Sequence, residues 1–157
     1  MLATNCDSGK LVALKIVEKM GLIGYDQDTI MTERQVMQMV MGHPYCTKLY
    51  ATFQSQDHLF YVMEFFSGGD LRKQIKSKKC DLSTMRRLAA ELLCGLQFVH
   101  SKGILHGDVI PENILLDCNG HVRLADFGNA ETNMFGAEMR TGEFGTELYI
   151  APETLTQ

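Results

Sequence analysis

Two short segments bring together side chains whose types and spacing could do chemistry: His106-Gly-Asp-Val-Ile-Pro-Glu-Asn113 and Asp126-Phe-Gly128. Between them Ile114-Leu-Leu116 and His121-Val-Arg-Leu-Ala125 flank Asp117-Cys-Asn-Gly120, and Asn-Gly between apolar runs is a strong hairpin signal. A two-residue loop at Asn119-Gly120 sets Cys118 opposite His121 and, at the open end, Asn113 opposite Asp126. An amide oxygen and a carboxylate then stand side by side, with Asp108 upstream on the same leg. Such a donor set suits a hard cation such as Mg²⁺. Asp and Asn also serve as simple turn formers at strand ends, so the rest of the chain must decide.

The elements that position these residues follow from periodicity. Leu11-Val-Ala-Leu-Lys-Ile-Val17 reads as a strand entered through Asp7-Ser8-Gly9, with Ala13, Lys15 and Val17 on one face. A lysine inside an apolar strand must either snorkel to water or meet a carboxylate. A helix is expected from about Asp28 to Met41, stopped by Gly42 and Pro44, with an apolar stripe of Ile30, Met37, Val40 and Met41. Glu33 falls on that stripe by helical spacing; it either pairs with a cation, Lys15 being the obvious one, or is solvated at the stripe's edge.

Leu49-Tyr-Ala-Thr-Phe53 and Leu59-Phe-Tyr-Val-Met-Glu64 read as a second hairpin. Phe65 to Asp70, with Gly68-Gly69 inside it, reads either as a boundary between two lobes or as a plain turn. A short basic helix, Leu71 to Lys78, and a longer one starting near Ser83 or Thr84 follow. The longer one shows Met85, Leu88, Leu92, Leu96 and Val99 on one face and ends at Gly103. Gly128 to Gly145 has no strong period and reads as a long loop.

Composition narrows the function classes. The 157 residues are 45% hydrophobic, enough for a modest core. Fifteen Lys and Arg against nineteen Asp and Glu leave a net charge of −4, which argues against nucleic-acid binding. The five cysteines are scattered and lack C-x-x-C spacing, so neither a zinc site nor a disulfide framework is indicated, and a reducing, cytoplasmic setting is expected. No apolar run approaches the roughly 18 residues of a membrane span.

Taken in order, Val12-Ala13-Leu14-Lys15, Glu33, His106 through Asn113, Asp126-Phe127-Gly128 and Ala151-Pro152-Glu153 match the motif order of a eukaryotic protein kinase, which the chain therefore resembles. Phe53-Gln-Ser-Gln-Asp-His-Leu-Phe60, Val62-Met-Glu-Phe-Phe-Ser-Gly-Gly-Asp-Leu71 and Cys94-Gly-Leu-Gln-Phe-Val-His-Ser-Lys-Gly103 are similar to the catalytic domain of the novel protein kinase C group. The likeness spans nearly the whole chain. It implies an α+β, bilobal fold. Residues 1–66 form a small, mainly β N-lobe with one helix and without the Gly-rich loop. Residues 67–157 form a partial, mainly α C-lobe ending just after the A-P-E.

By the same resemblance the cofactors are ATP and Mg²⁺, and the partners are proteins carrying Ser or Thr. Lys15 holds the α- and β-phosphates, oriented by Glu33, while Asn113 and Asp126 bind the metal. Asp108 orients the substrate hydroxyl and accepts its proton, and Thr146 hydrogen-bonds Asp108, a mark of Ser/Thr specificity. Glu64 and Phe66 offer backbone groups to adenine, Ala13 and Leu115 sandwich it, and Asp70 meets the ribose. Met37, Leu49, His106 and Phe127 match the family's stacked spine.

Five departures from that pattern matter. Gly107 stands where the family has the arginine that pairs with an activation-loop phosphate, and Thr141, the nearest phosphosite candidate, falls one position early, before Gly142. Ile110 replaces a lysine that neutralises γ-phosphate charge. The Gly-rich loop upstream and the central helix downstream are expected to be missing, leaving apolar surface uncovered on the longer helix from Leu88 to Val99, a liability for solubility or an invitation to a partner. The primary expectation is thus a Ser/Thr kinase fragment; the alternatives are a noncatalytic kinase-like binding module and an incomplete piece of a longer kinase.

Overall fold

The structure, a computed structural model, describes residues 1–19, 27–77, 81–136 and 145–152, with side chains of the first helix described from Thr32 onward. Its first half is built on an antiparallel sheet of β1 (Leu2–Thr4), β2 (Leu11–Glu18), β3 (Leu49–Gln54) and β4 (His58–Glu64), in the order β1-β2-β4-β3. β2 pairs with β4 along its whole length, from Val12 opposite Glu64 to Glu18 opposite His58, which sets Lys15 across from Tyr61. Helix α1 (Gln27–Met39) packs Val36 and Met37 inward, with Val40 just past its end, all essentially without exposure.

Met41, expected on that stripe, is instead exposed: the helix ends at Met39, so helical spacing no longer carries Met41 inward. Ile30 lies among the side chains outside the described set, as do Lys78, Thr141, Gly142 and Glu153.

Helix α2 (Leu71–Lys76) is capped by Asp70, whose carboxylate accepts from the Lys73 N–H at 2.8 Å. Helix α3 (Leu82–Ser101) is capped by Asp81, which accepts from the Thr84 N–H at 2.8 Å. Its C-terminus closes through Gly103, where the N–H groups of Gly103 and Ile104 return to His100 and Val99. Leu88 and Val99 are buried on its inner face and Leu92 and Leu96 half-buried, whereas Met85 is exposed beside a groove of about 200 Å³ lined by Leu71, Ile75, Leu88 and Ile114. Among the described residues, no helix is long and apolar enough to cross a membrane.

Strands β5 (Ile114–Leu116) and β6 (Val122–Leu124) form the expected hairpin with a different register. Leu116 faces Val122 and Ile114 faces Leu124, so the loop has three residues and the pairing slips by one from a two-residue Asn119-Gly120 turn. Asp117 decides this: its Oδ1 accepts from the N–H groups of Asn119 and His121, both at 2.9 Å. Gly120 closes a turn onto the Asp117 carbonyl at 3.0 Å with φ of 77°, a conformation that favours glycine and makes a bulged three-residue loop.

The larger buried cluster joins both halves of the chain, with Val36, Met37, Leu49 and Tyr61 meeting Val99, Ile104, Leu124 and Phe127. A smaller one, Leu88, Ile114, Leu116 and Val122, glues α3 to the hairpin. The chain between β4 and α2 joins the hairpin as well, because Gly68 and Gly69 exchange backbone hydrogen bonds with Leu116. The described cysteines are all free thiols.

Candidate active site

The slip in register changes how Asn113 and Asp126, the pair expected to bind a cation, are brought together. Asn113 lies opposite Ala125, whose N–H reaches the Asn113 carbonyl at 2.9 Å, and not opposite Asp126. Asp126 is one residue beyond, with φ of 60°, so the backbone turns as it leaves the hairpin. Its carboxylate accepts from Lys15 Nζ at 2.8 Å. Lys15 also reaches Glu33 Oε1 at 2.7 Å, so the misplaced lysine of the strand and the misplaced glutamate of the helix meet.

Burial works against the Lys15 ammonium, but Glu33 and Asp126 outweigh it and raise its pKa above the ordinary lysine value. Burial pushes the Glu33 carboxyl up, against the pull of Lys15. At Asp126, half-exposed, burial is outweighed by Lys15 and the carboxyl is held below its usual range. One ammonium thus faces two carboxylates. The excess negative charge is what an added cation would balance.

A second group gathers on the loop before the hairpin. Asp108 Oδ1 accepts from both the N–H and the hydroxyl of Thr146, at 2.9 and 2.8 Å, and Oδ2 accepts from Asn113 Nδ2 at 3.0 Å. Asp108 and Thr146 border a concavity of about 200 Å³ whose lining includes Val109, Ile110, Tyr149 and Ile150. Ile110 is buried in that wall, and the Gly145 backbone lies close to Gly107: a Cβ on Gly145 would stand 2.9 Å from the Gly107 carbonyl oxygen.

His106 ties the two groups together. Nε2–H donates to the Ala125 carbonyl at 3.1 Å, while Nδ1 accepts from the Asp108 N–H at 3.3 Å, which requires the neutral ring. Burial pushes its pKa below the ordinary histidine value, against the pull of Ala125. Its ring packs on Phe127 at 4.9 Å, and Met37, Leu49, His106 and Phe127 are all buried.

The residues expected around adenine lie on β2, at the end of β4 and in the chain after it, and on β5. Ala13 and Lys15 share a face of β2, and Leu115 bridges to Asp70, but the Asp70 carboxylate is occupied by the Lys73 N–H and, at 2.9 Å, its ammonium. Phe66 is buried beneath the Arg123 guanidinium, 5.5 Å from the ring centre, and the Glu64 N–H is spent on Lys48 O at 3.0 Å.

The donor chemistry fits Mg²⁺ brought in by a phosphate. Asn113 spends Nδ2 on Asp108, which leaves its carbonyl oxygen for a cation, and Asp126 supplies an ionised carboxylate. Among the described residues no three His, Cys, Asp or Glu side chains converge into a metal site. Mg²⁺ commonly takes one or two protein oxygens together with substrate phosphates, which matches two ligands and no cage. Gly128 keeps the approach open: a Cβ there would sit 3.3 Å from Asp126 Oδ1 and 3.4 Å from Lys15 Nζ. One buried carboxylate behind the hairpin, Glu91, escapes motif reading altogether, although it too lies on the apolar face of a helix.

Comparison with known proteins follows the same lines. All of residues 1–157 match the protein kinase domain family. Human protein kinase C delta type is 44% identical over 149 residues, covering 94% of this chain and 22% of the relative. Mouse protein kinase C eta type is 40% identical across 100% of this chain and 23% of its own length, and protein kinase C of Drosophila melanogaster 39% across 100% and 22%. The chain therefore spans less than a quarter of the length of these curated relatives.

Proposed function

Because this chain belongs to the protein kinase domain family, we propose that it binds ATP with Mg²⁺ and transfers the γ-phosphoryl group to serine or threonine hydroxyls of proteins, as a protein kinase C-like catalytic fragment. The observation that carries this reading is the Lys15–Glu33–Asp126 contact, which gathers three distant motif residues at one point. Lys15 holds the α- and β-phosphates once they draw it from Asp126, and Glu33 keeps its ammonium aimed. Asn113 and Asp126 hold Mg²⁺, whose charge neutralises the phosphates when it is bound.

Asp108, fixed by Thr146 and Asn113, takes the hydrogen bond of the substrate hydroxyl. The hydroxyl oxygen forms the new P–O bond as the bond from γ-phosphorus to ADP breaks, and the proton passes to Asp108. The concavity between Asp108, Ile110 and Ile150 receives the side chain that carries this hydroxyl. Ala13, Leu115, Glu64, Phe66 and Asp70 make the nucleoside end of the site, Asp70 exchanging Lys73 for the ribose.

A second reading, a kinase-like module that binds nucleotide without efficient transfer, is favoured by one observation. Ile110 is buried beside Asp108 where a lysine would neutralise the transferring phosphoryl group. Losing one such contact costs on the order of 10²–10³ in rate. Phosphate transfer from γ-labelled ATP to a Ser/Thr peptide separates the two. Slow transfer that Ile110→Lys accelerates supports the enzyme; nucleotide binding with no transfer in either form supports the module.

A further inference from the structure

Glu91 has no part in the chemistry above, yet it is one of the few buried charges of the described chain, 6% exposed on the inner face of α3 with Leu88 and Gly95. A carboxylate is costly there unless its oxygens are filled. Oε2 accepts from the Val122 N–H at 2.9 Å, and Oε1 accepts from His121 Nδ1 at 2.8 Å and Arg87 Nη1 at 3.0 Å. Arg87 also donates to the Gly120 carbonyl at 3.1 Å. These donors outweigh burial and hold the Glu91 carboxyl below its usual range.

The contacts converge on the start of β6, a three-residue strand that runs through Ala125 straight into Asp126. Its other end is tied by the Leu124 N–H to Tyr45 O at 2.8 Å and by the Thr47 N–H to Leu124 O at 2.9 Å. A strand this short has little pairing of its own to fix its register, and a slip of one residue turns every side chain to the opposite face. Such a slip would remove Asp126 from Lys15. We infer that Glu91 is a positioning residue for the metal-binding end of the site: its carboxylate pins Val122 and so sets where β6 delivers Asp126. The inference rests on the kinase reading of that site.

The test uses the full chain with Glu91→Leu, which leaves the Val122 N–H without an acceptor, and Glu91→Gln, which keeps one. Three quantities are read: the Mg²⁺ concentration for half-maximal ATP binding, ATP affinity without Mg²⁺, and hydrogen exchange of residues 122–126. Glu91→Leu is expected to raise the Mg²⁺ requirement by about tenfold or more, in the range found for residues that orient metal ligands. Metal-free ATP affinity stays constant, exchange at 122–126 accelerates, and Glu91→Gln recovers most of the loss. Equal loss of both affinities, or an unchanged Mg²⁺ requirement, overturns the assignment.

Should Glu91→Leu fail to fold, His121→Ala removes an outer donor and must shift the Mg²⁺ requirement in the same direction; no shift overturns the assignment. A parent chain that binds no ATP would count against the kinase reading instead. Exchange then decides: acceleration confined to 122–126 and reversed by Glu91→Gln upholds the role, and unchanged exchange overturns it.

Discussion

Thr146 gives Asp108 two hydrogen bonds on one oxygen, its N–H at 2.9 Å and its hydroxyl at 2.8 Å to Oδ1. The segment of residues 145–152 is thereby latched to the loop that would receive the substrate hydroxyl. Thr146→Val keeps the backbone bond and removes the other, so the phosphoryl-transfer rate is expected to fall about ten- to hundredfold, the equivalent of one hydrogen bond to a charged group. ATP affinity should not change. Thr146→Ser should transfer at nearly the parent rate; equal loss in both variants would show that the hydroxyl is not what matters.

Lys15 links a nearly buried carboxylate to a half-exposed one. Lys15→Met strands Glu33 in the interior, and the expected loss of stability is about 1–3 kcal/mol, below that of a fully buried pair because Lys15 keeps some contact with water. Adding Glu33→Leu should return part of that loss in a denaturant titration, without restoring the ATP affinity that removing Lys15 lowers. A double variant as unstable as the sum of the two singles would contradict the coupling.

His106 is held neutral between the Ala125 carbonyl and the Asp108 N–H. Its folded pKa lies below the ordinary value of 6.5, so the unfolded chain takes up the proton first. The stability due to the neutral ring is complete above 6.5 and is lost as pH falls from there toward the folded pKa. Unfolding free energy should thus drop on acidification below that point, by at most about 1.4 kcal/mol per pH unit for this one proton. His106→Gln should flatten the slope; an unchanged slope would assign it to other groups.

Gly68 carries a purely steric demand. A Cβ at this position would stand 2.5 Å from Leu116 O and 2.6 Å from Asp117 O, both backbone atoms that cannot swing aside. Gly68→Ala is expected to cost about 1–3 kcal/mol, as overpacking does, and to loosen the strand-like pairing of Gly68 and Gly69 with Leu116. Hydrogen exchange at Leu116 is the sensitive probe, and protection equal to the parent's would contradict the packing.

The sequence was most legible where a residue broke its own pattern. Lys15 in an apolar strand and Glu33 on an apolar helix face each called for a partner, and they are 2.7 Å apart. The hairpin was legible in kind but not in register, because Asn-Gly signals a two-residue turn while the deciding group was the Asp117 carboxylate, which spans the Asn119 and His121 N–H groups. Glu91 broke the pattern of α3 as plainly as Glu33 broke that of α1. Its chief partner is a backbone N–H, which carries no mark in sequence. Met41 illustrates the remaining failure: Gly42 marks a stop in the sequence, but the helix ends at Met39, so the periodicity runs on two residues past its end.

Linkage between ATP and Mg²⁺ is the most direct test of the proposed site. ATP affinity is measured by calorimetry with and without Mg²⁺, for the parent and for Asp126→Asn. The predicted result is tighter binding in the parent when Mg²⁺ is present, with that gain lost in Asp126→Asn because the metal loses its one charged protein ligand. An ATP affinity that ignores Mg²⁺, or a gain that survives Asp126→Asn undiminished, would contradict it.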